Sequence, residues 1–114
     1  MKKENRLKKR KQFNWTFKHG QKIYCKNLAL VFNTSWAKEF KVGFSVTKKV
    51  GKAVVRNKVK RRIKEAVLKF ANNIQSKHTL IFVAKPEIIN ADFLTIVNEV
   101  EFLLKKSGLL KKDE

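Results

Sequence analysis

Cysteine is nearly absent from this chain, and acids are scarce through its first seventy residues. The single cysteine in 114 residues, Cys25, cannot close an internal disulfide and has no second ligand-type residue near it. That excludes a disulfide-built mini-protein and makes a reduced, cytoplasmic life the expectation. No apolar run approaches the ~18 residues that cross a bilayer. The basic start Met1–Arg6 is not followed by an apolar segment, so neither a signal peptide nor a membrane span is expected. His19 and His78 stand apart from each other and from Cys25, and the nine acids are scattered. A self-contained nuclease would need clustered carboxylates or a paired imidazole acid and base, so no catalytic residue and no metal site are expected in this chain. Gly51-Lys52 lacks the partners of a phosphate-binding loop, with Val46 and Ala53 where glycine and Ser/Thr are required.

What the chain has is positive charge, unevenly placed. It carries 28 Lys+Arg against 9 Asp+Glu, a formal net charge of +19. Residues 1–70 hold 22 of those cations with 3 acids, while residues 71–114 hold 6 of each. The entire excess lies in the first two thirds. Self-repulsion at that density opposes folding, so the arrangement makes sense with a polyanion partner. Nucleic acid comes first, because neutralising phosphates releases counterions and drives binding. Only five of the cations are Arg (6, 10, 56, 61 and 62).

The apolar fraction of 43% supplies a core, and the length suits one domain. Residues 1–11 read as a mobile basic arm and 12–110 as the domain. A short helix is predicted from Arg10 to His19, with Phe13 and Phe17 four apart, Trp15 on another face, and Gly20 as the stop. Ile23–Phe32 reads as one strand. Lys41–Thr47 alternates and is expected to form a hairpin with it. A long helix is predicted over 53–72, with Val55, Val59, Ile63, Ala66, Val67 and Phe70 in one stripe. Thr79–Ala84 is continuously apolar and should be a central strand covered on both faces. A last helix, capped near Asn90, carries Phe93 through Leu104 and ends before Gly108. The fold class is therefore α+β, a small sheet with helices packed on it in the order α-β-β-α-β-α. Trp15 and Trp36 are assigned to packing or surface.

Between Lys48 and Lys64 lie nine cations and no acid. At 100° per residue, Arg56, Asn57, Lys60, Arg61 and Lys64 cover an arc of roughly 140°, centred about 120° from the apolar stripe. The helix can thus bind the sheet with one side and offer a cationic strip with another. Arg grips phosphate through a bidentate fork, and Asn can bond sugars. The loop Lys48–Lys52 adds charge and a helix N-terminus, another phosphate attractor.

The string Gly51–Ala66 (GKAVVRNKVKRRIKEA), preceded by Val42–Lys49 (VGFSVTKK), closely resembles the signature of the bacterial ribonuclease P protein subunit. Phe13-x-x-x-Phe17 followed by His19-Gly20, and the apolar strand before Lys85-Pro86, agree in order and spacing. The resemblance extends from about Leu7 to Leu110. It implies an α-β-β-α-β-α sandwich with a left-handed β-α-β crossover, against the usual right-handed preference. It also implies a protein that assists a catalytic RNA in removing the 5′ leader from precursor tRNA. Phe13, Phe17 and Val31 would line a cleft for the single-stranded leader. Lys48, Lys49, Lys52, Arg56, Asn57, Lys60, Arg61 and Lys64 would face the catalytic RNA and the cleavage region. Lys64 stands where the family commonly has Arg, which keeps the charge but not the fork. Val31 stands where relatives often place a Tyr. The implied Mg²⁺ would be held mainly by RNA, with no organic cofactor, and the protein would be a monomer apart from RNA.

Two other classes fit parts of the composition. A structural RNA-binding protein of the ribosomal kind shares the charge distribution, and the 42–66 signature and the aromatic pair argue against it. A cationic membrane-surface protein would need an exposed amphipathic helix, whereas both long helices here direct their apolar faces to a core.

Overall fold

The computed structural model describes residues 3–111. Its elements are α1 (Arg10–His19), β1 (Gln21–Tyr24), β2 (Leu28–Thr34), β3 (Lys41–Ser45), α2 (Ala53–Leu68), β4 (His78–Ala84) and α3 (Phe93–Lys106). The four strands form one mixed sheet in the order β1-β2-β4-β3. The α+β class holds, and two details of the strands differ from expectation.

The stretch read as one strand is a hairpin. Chain direction reverses at Cys25–Asn27, where the Cys25 amide donates to the Leu28 carbonyl at 2.7 Å, and β1 runs antiparallel to β2. No Gly or Pro marks this turn. It is held from outside: the Asn27 amide, its side-chain Nδ2 and the Leu28 amide all donate to the Glu99 carboxylate on α3, at 3.0, 2.6 and 3.1 Å. This also explains the second difference. With β1 on one edge of β2 and β4 on the other, β2 has no edge for β3. The predicted β2–β3 hairpin is therefore replaced by a parallel pairing of β3 with β4, the α2 crossover between them.

β4 is central and buried on both faces, as its apolar run requires. On one face Leu30, Phe32, Leu80 and Phe82 meet Val59, Ile63 and Val67 of α2 and Ile96, Val100 and Leu103 of α3. Of the residues predicted for the α2 stripe, Phe70 lies past the helix end at Leu68 and is partly buried, and Val55 in the first turn is exposed. α3 begins two residues later than expected: Asp92 is its cap, its Oδ1 accepting from the Thr95 amide at 2.8 Å. That hydrogen bond holds the Asp92 carboxyl below the usual range.

On the other face α1 crosses the strands. Thr16 points into the sheet, its hydroxyl donating to Asn33 Oδ1 at 3.3 Å. Gly20 stops α1 by lack of bulk, not by a left-handed turn. Its φ is −73°, and a Cβ there would lie 2.6 Å from the Thr16 carbonyl oxygen and 2.8 Å from that of Phe32. The inner part of the basic arm is not free. Arg6 bridges to Val42, the Leu7 amide donates to the Val42 carbonyl at 3.0 Å, and buried Asn5 donates to the Phe40 carbonyl at 2.9 Å. Met1 and Lys2 lie outside the described residues.

Candidate nucleic-acid interface

α2 shows the predicted division of labour. Val59, Ile63, Ala66 and Val67 are buried, Asn57, Lys60 and Arg61 are exposed, and Arg56 and Lys64 sit between. Lys48, Lys49 and Lys52 are exposed in the turn that leads into the helix. The first turn of α2 has no side-chain cap and no acid. Among the described residues the ion pair formed is Lys105 with Glu101, at 3.7 Å on α3. The cations of the strip therefore have no carboxylate partner among the described residues.

Two of them already feel that lack. Lys64 is held below the ordinary lysine range, by partial burial first and by repulsion from Lys60 and Arg6 next. Its ammonium sits 5.8 Å from the Phe44 ring centroid, a weak attraction that does not replace a counter-charge. Arg56 Nε is buried without a hydrogen-bond partner among the described residues. It borders a small open hollow of about 250 Å³ lined by Phe44, Val46, Ala53, Asn57 and Lys60. A phosphate oxygen supplies what both groups lack: negative charge and an acceptor.

The aromatic pair lies on the opposite side of the sheet. Phe13 and Phe17 form one flank of α1, with ring centroids 6.1 Å apart and planes 14° from parallel. Phe13 approaches β3, where a Cβ on Gly43 would stand 3.3 Å from its ring. Phe17 is 39% exposed and lies under the Lys22 ammonium at 5.8 Å, so a cation already accompanies the more open ring. Val31 is buried, at 3% exposure, beneath the end of α1. It belongs to the floor and offers no open surface, which differs from the lining role implied by the resemblance.

β3 joins the two halves. Successive side chains of a strand point to opposite faces, so Gly43 receives Phe13 while Phe44 receives Lys64. Phe13 and Lys64 thus approach the β3 edge from opposite faces, with Arg6 bridged to Val42 beside them, while Phe17 lies by Lys22 of β1. Lys22 and Arg6 are absent from the sequence-derived site. Lys22 could be placed only once the β1–β2 register set it opposite Val31, and Arg6 lay in a segment read as mobile.

Cations without a carboxylate partner among the described residues, on the same small α+β fold as a pair of partly open aromatic rings, are the features of a small RNA-binding protein. The comparisons give the particular family. A sequence model described as Ribonuclease P matches residues 1–108. The ribonuclease P protein component of Caldanaerobacter subterraneus subsp. tengcongensis is 33% identical over 109 residues, covering 96% of this chain and 94% of that protein. The RNase P protein of Staphylococcus aureus superposes with a TM-score of 0.85 at 29% identity, over 94% of this chain and 98% of that one. The Thermotoga maritima RNase P protein gives 0.79 at 27% identity, over 89% and 96%. The chain belongs to the ribonuclease P protein family. It is the protein subunit of the endoribonuclease that matures tRNA 5′ ends, working with the RNase P RNA.

Proposed function

We propose that the α1 flank holds the single-stranded 5′ leader of precursor tRNA while the α2 strip and the Lys48–Lys52 turn rest on the catalytic RNA. The observation that carries this is a single sheet with stacked, partly open rings over one face and, beside its other face, cations that have no carboxylate partner among the described residues, Phe13 and Lys64 both reaching β3. Phe17 and Phe13 would offer faces to unpaired bases, and Arg56, Lys60, Arg61 and Lys64 would neutralise phosphates where two RNAs converge. Holding the leader fixes the scissile bond relative to the RNA, an orienting role.

The chemical step is assigned to the RNA. In this proposal Mg²⁺ is held mainly by the RNA, whose phosphates suit a hard cation. The protein would act as a monomer apart from RNA, in the cytoplasm. No helix among the described residues is long and apolar enough to cross a membrane.

The test is cleavage of precursor tRNA by the cognate RNA at low Mg²⁺, with and without the protein, on long and truncated leaders. Stimulation that fades as the leader shortens is expected. Equal stimulation of both substrates would remove the leader from the mechanism and leave only the contact with the catalytic RNA.

A further inference from the structure

The other flank of α1 carries a second aromatic surface. Trp15 lies 160° around the helix from Phe13 and from Phe17 by roughly 100° per residue, so it faces away from the cleft. The connection between β2 and β3 places Trp36 against the same space. The two indoles, 61% and wholly exposed, border one open groove of about 380 Å³ with Lys11, Gln12, Asn33 and Thr79. Trp15 is held by a tilted stack on His19, with ring centroids 4.0 Å apart.

Each part suits an unpaired base. Two indoles provide stacking faces. Asn33, whose Oδ1 accepts from Thr16, keeps its amide nitrogen as a donor for a base edge, and Gln12 adds a second amide. Lys11 supplies the charge a phosphate needs. A protein partner fits less well, since the indoles alternate with amides, hydroxyls and a cation and do not form a continuous apolar patch.

We propose that this groove is a second RNA site, occupied by leader nucleotides upstream of those in the cleft. The choice of occupant rests on the leader reading above. The two sites are continuous: α1 is the shared wall, with Phe13 and Phe17 on one flank and Trp15 on the other, and Asn33 of β2 lies at the groove beside Thr16. A strand leaving the cleft has only the width of one helix, about 10 Å, to pass.

The test uses the fact that the chain has two tryptophans, both in this groove, so fluorescence excited at the red edge of the band, where Tyr24 does not absorb, reports on it alone. An unstructured oligoribonucleotide of about ten nucleotides is titrated beside the same sequence as a duplex and beside inorganic polyphosphate. Quenching by the single strand alone is expected. In parallel, binding of precursor tRNA to the holoenzyme is measured with a leader just filling the cleft and with a longer one. Trp15→Ala and Trp36→Ala should each remove about 5- to 100-fold of the added affinity of the longer leader and leave the shorter one unchanged. Phe17→Ala should weaken both. If Phe17→Ala weakens neither, the cleft reading fails, while single-strand quenching would still report the groove. Equal quenching by duplex or polyphosphate overturns the proposal. So does a Trp36→Ala holoenzyme that keeps the full long-leader gain, or a loss that appears only in binding to the catalytic RNA.

Discussion

At the scale of single residues, the proposed site joins partly open rings to cations that have no carboxylate partner among the described residues. Phe17 is exposed enough that Phe17→Ala should fold normally and lose leader affinity by about 5- to 100-fold, read as a rise in the KM for long-leader substrate. Lys64 makes the tension explicit. Its pKa lies below the lysine range, so its charge opposes folding at neutral pH. That penalty fades as pH rises through the depressed value and is gone above the ordinary one. Lys64→Met should therefore stabilise the free protein slightly, by at most about 0.5 kcal/mol, while weakening RNA binding. Urea unfolding and RNA titration on one variant check both signs. If the variant is less stable than the parent even at low salt, the repulsion from Lys60 and Arg6 is not what sets Lys64. The sequence made these residues legible because an acid-free run on one helical arc needs no tertiary knowledge. Val31 is buried under the end of α1, a tertiary fact that its place in the sequence does not show.

At the scale of elements, the helices were readable and the strand pairings were not. α1 matched from Arg10 to His19, and the buried centre of α2 followed its periodicity. Period alone cannot reveal a turn whose support comes from 72 residues away in sequence, and so the β1–β2 hairpin was hidden inside one apolar-looking stretch. Pairing of β3 depended on that hairpin and failed with it. Glu99 is then the residue on which this part of the sheet turns. Glu99→Ala leaves the buried Asn27 without its carboxylate and should cost about 1–3 kcal/mol. The expected signature is a lower urea midpoint with an unchanged slope. A gentler change has its own readout. Burial first, and the Glu99 charge second, push the Cys25 thiol up, with Lys85 opposing them. Glu99→Gln should lower that pKa and speed alkylation of Cys25 at fixed pH. An unchanged alkylation rate in a folded variant would place Glu99's influence in the hydrogen bonds alone.

At the scale of the whole molecule, charge and core are divided along the chain. The excess of +19 falls on residues 1–70, which supply α1, the first three strands and the whole of α2. The balanced segment 71–114 supplies β4 and α3, the central strand and a helix that carries four of the buried core residues. The neutral part thus builds much of the scaffold on which the cationic part is held. Such a molecule should be most stable when its field is screened or neutralised, and RNA does the second. Because the cations of the strip form no ion pair among the described residues, phosphates brought to them would release counterions from the RNA at no cost in such pairs. Affinity should then fall steeply with salt. If about six phosphates are neutralised, the slope of log K against log salt is roughly −4 on single strands. Arg61→Ala, which changes one exposed cation and no core contact, should make that slope shallower by about one phosphate's share, ~0.7. Phe17→Ala should lower affinity at every salt concentration and leave the slope alone, since a ring holds no counterion. Parallel slopes for the parent and Arg61→Ala would move Arg61 off the phosphate-binding surface. A changed slope for Phe17→Ala would mean that its role is to position Lys22.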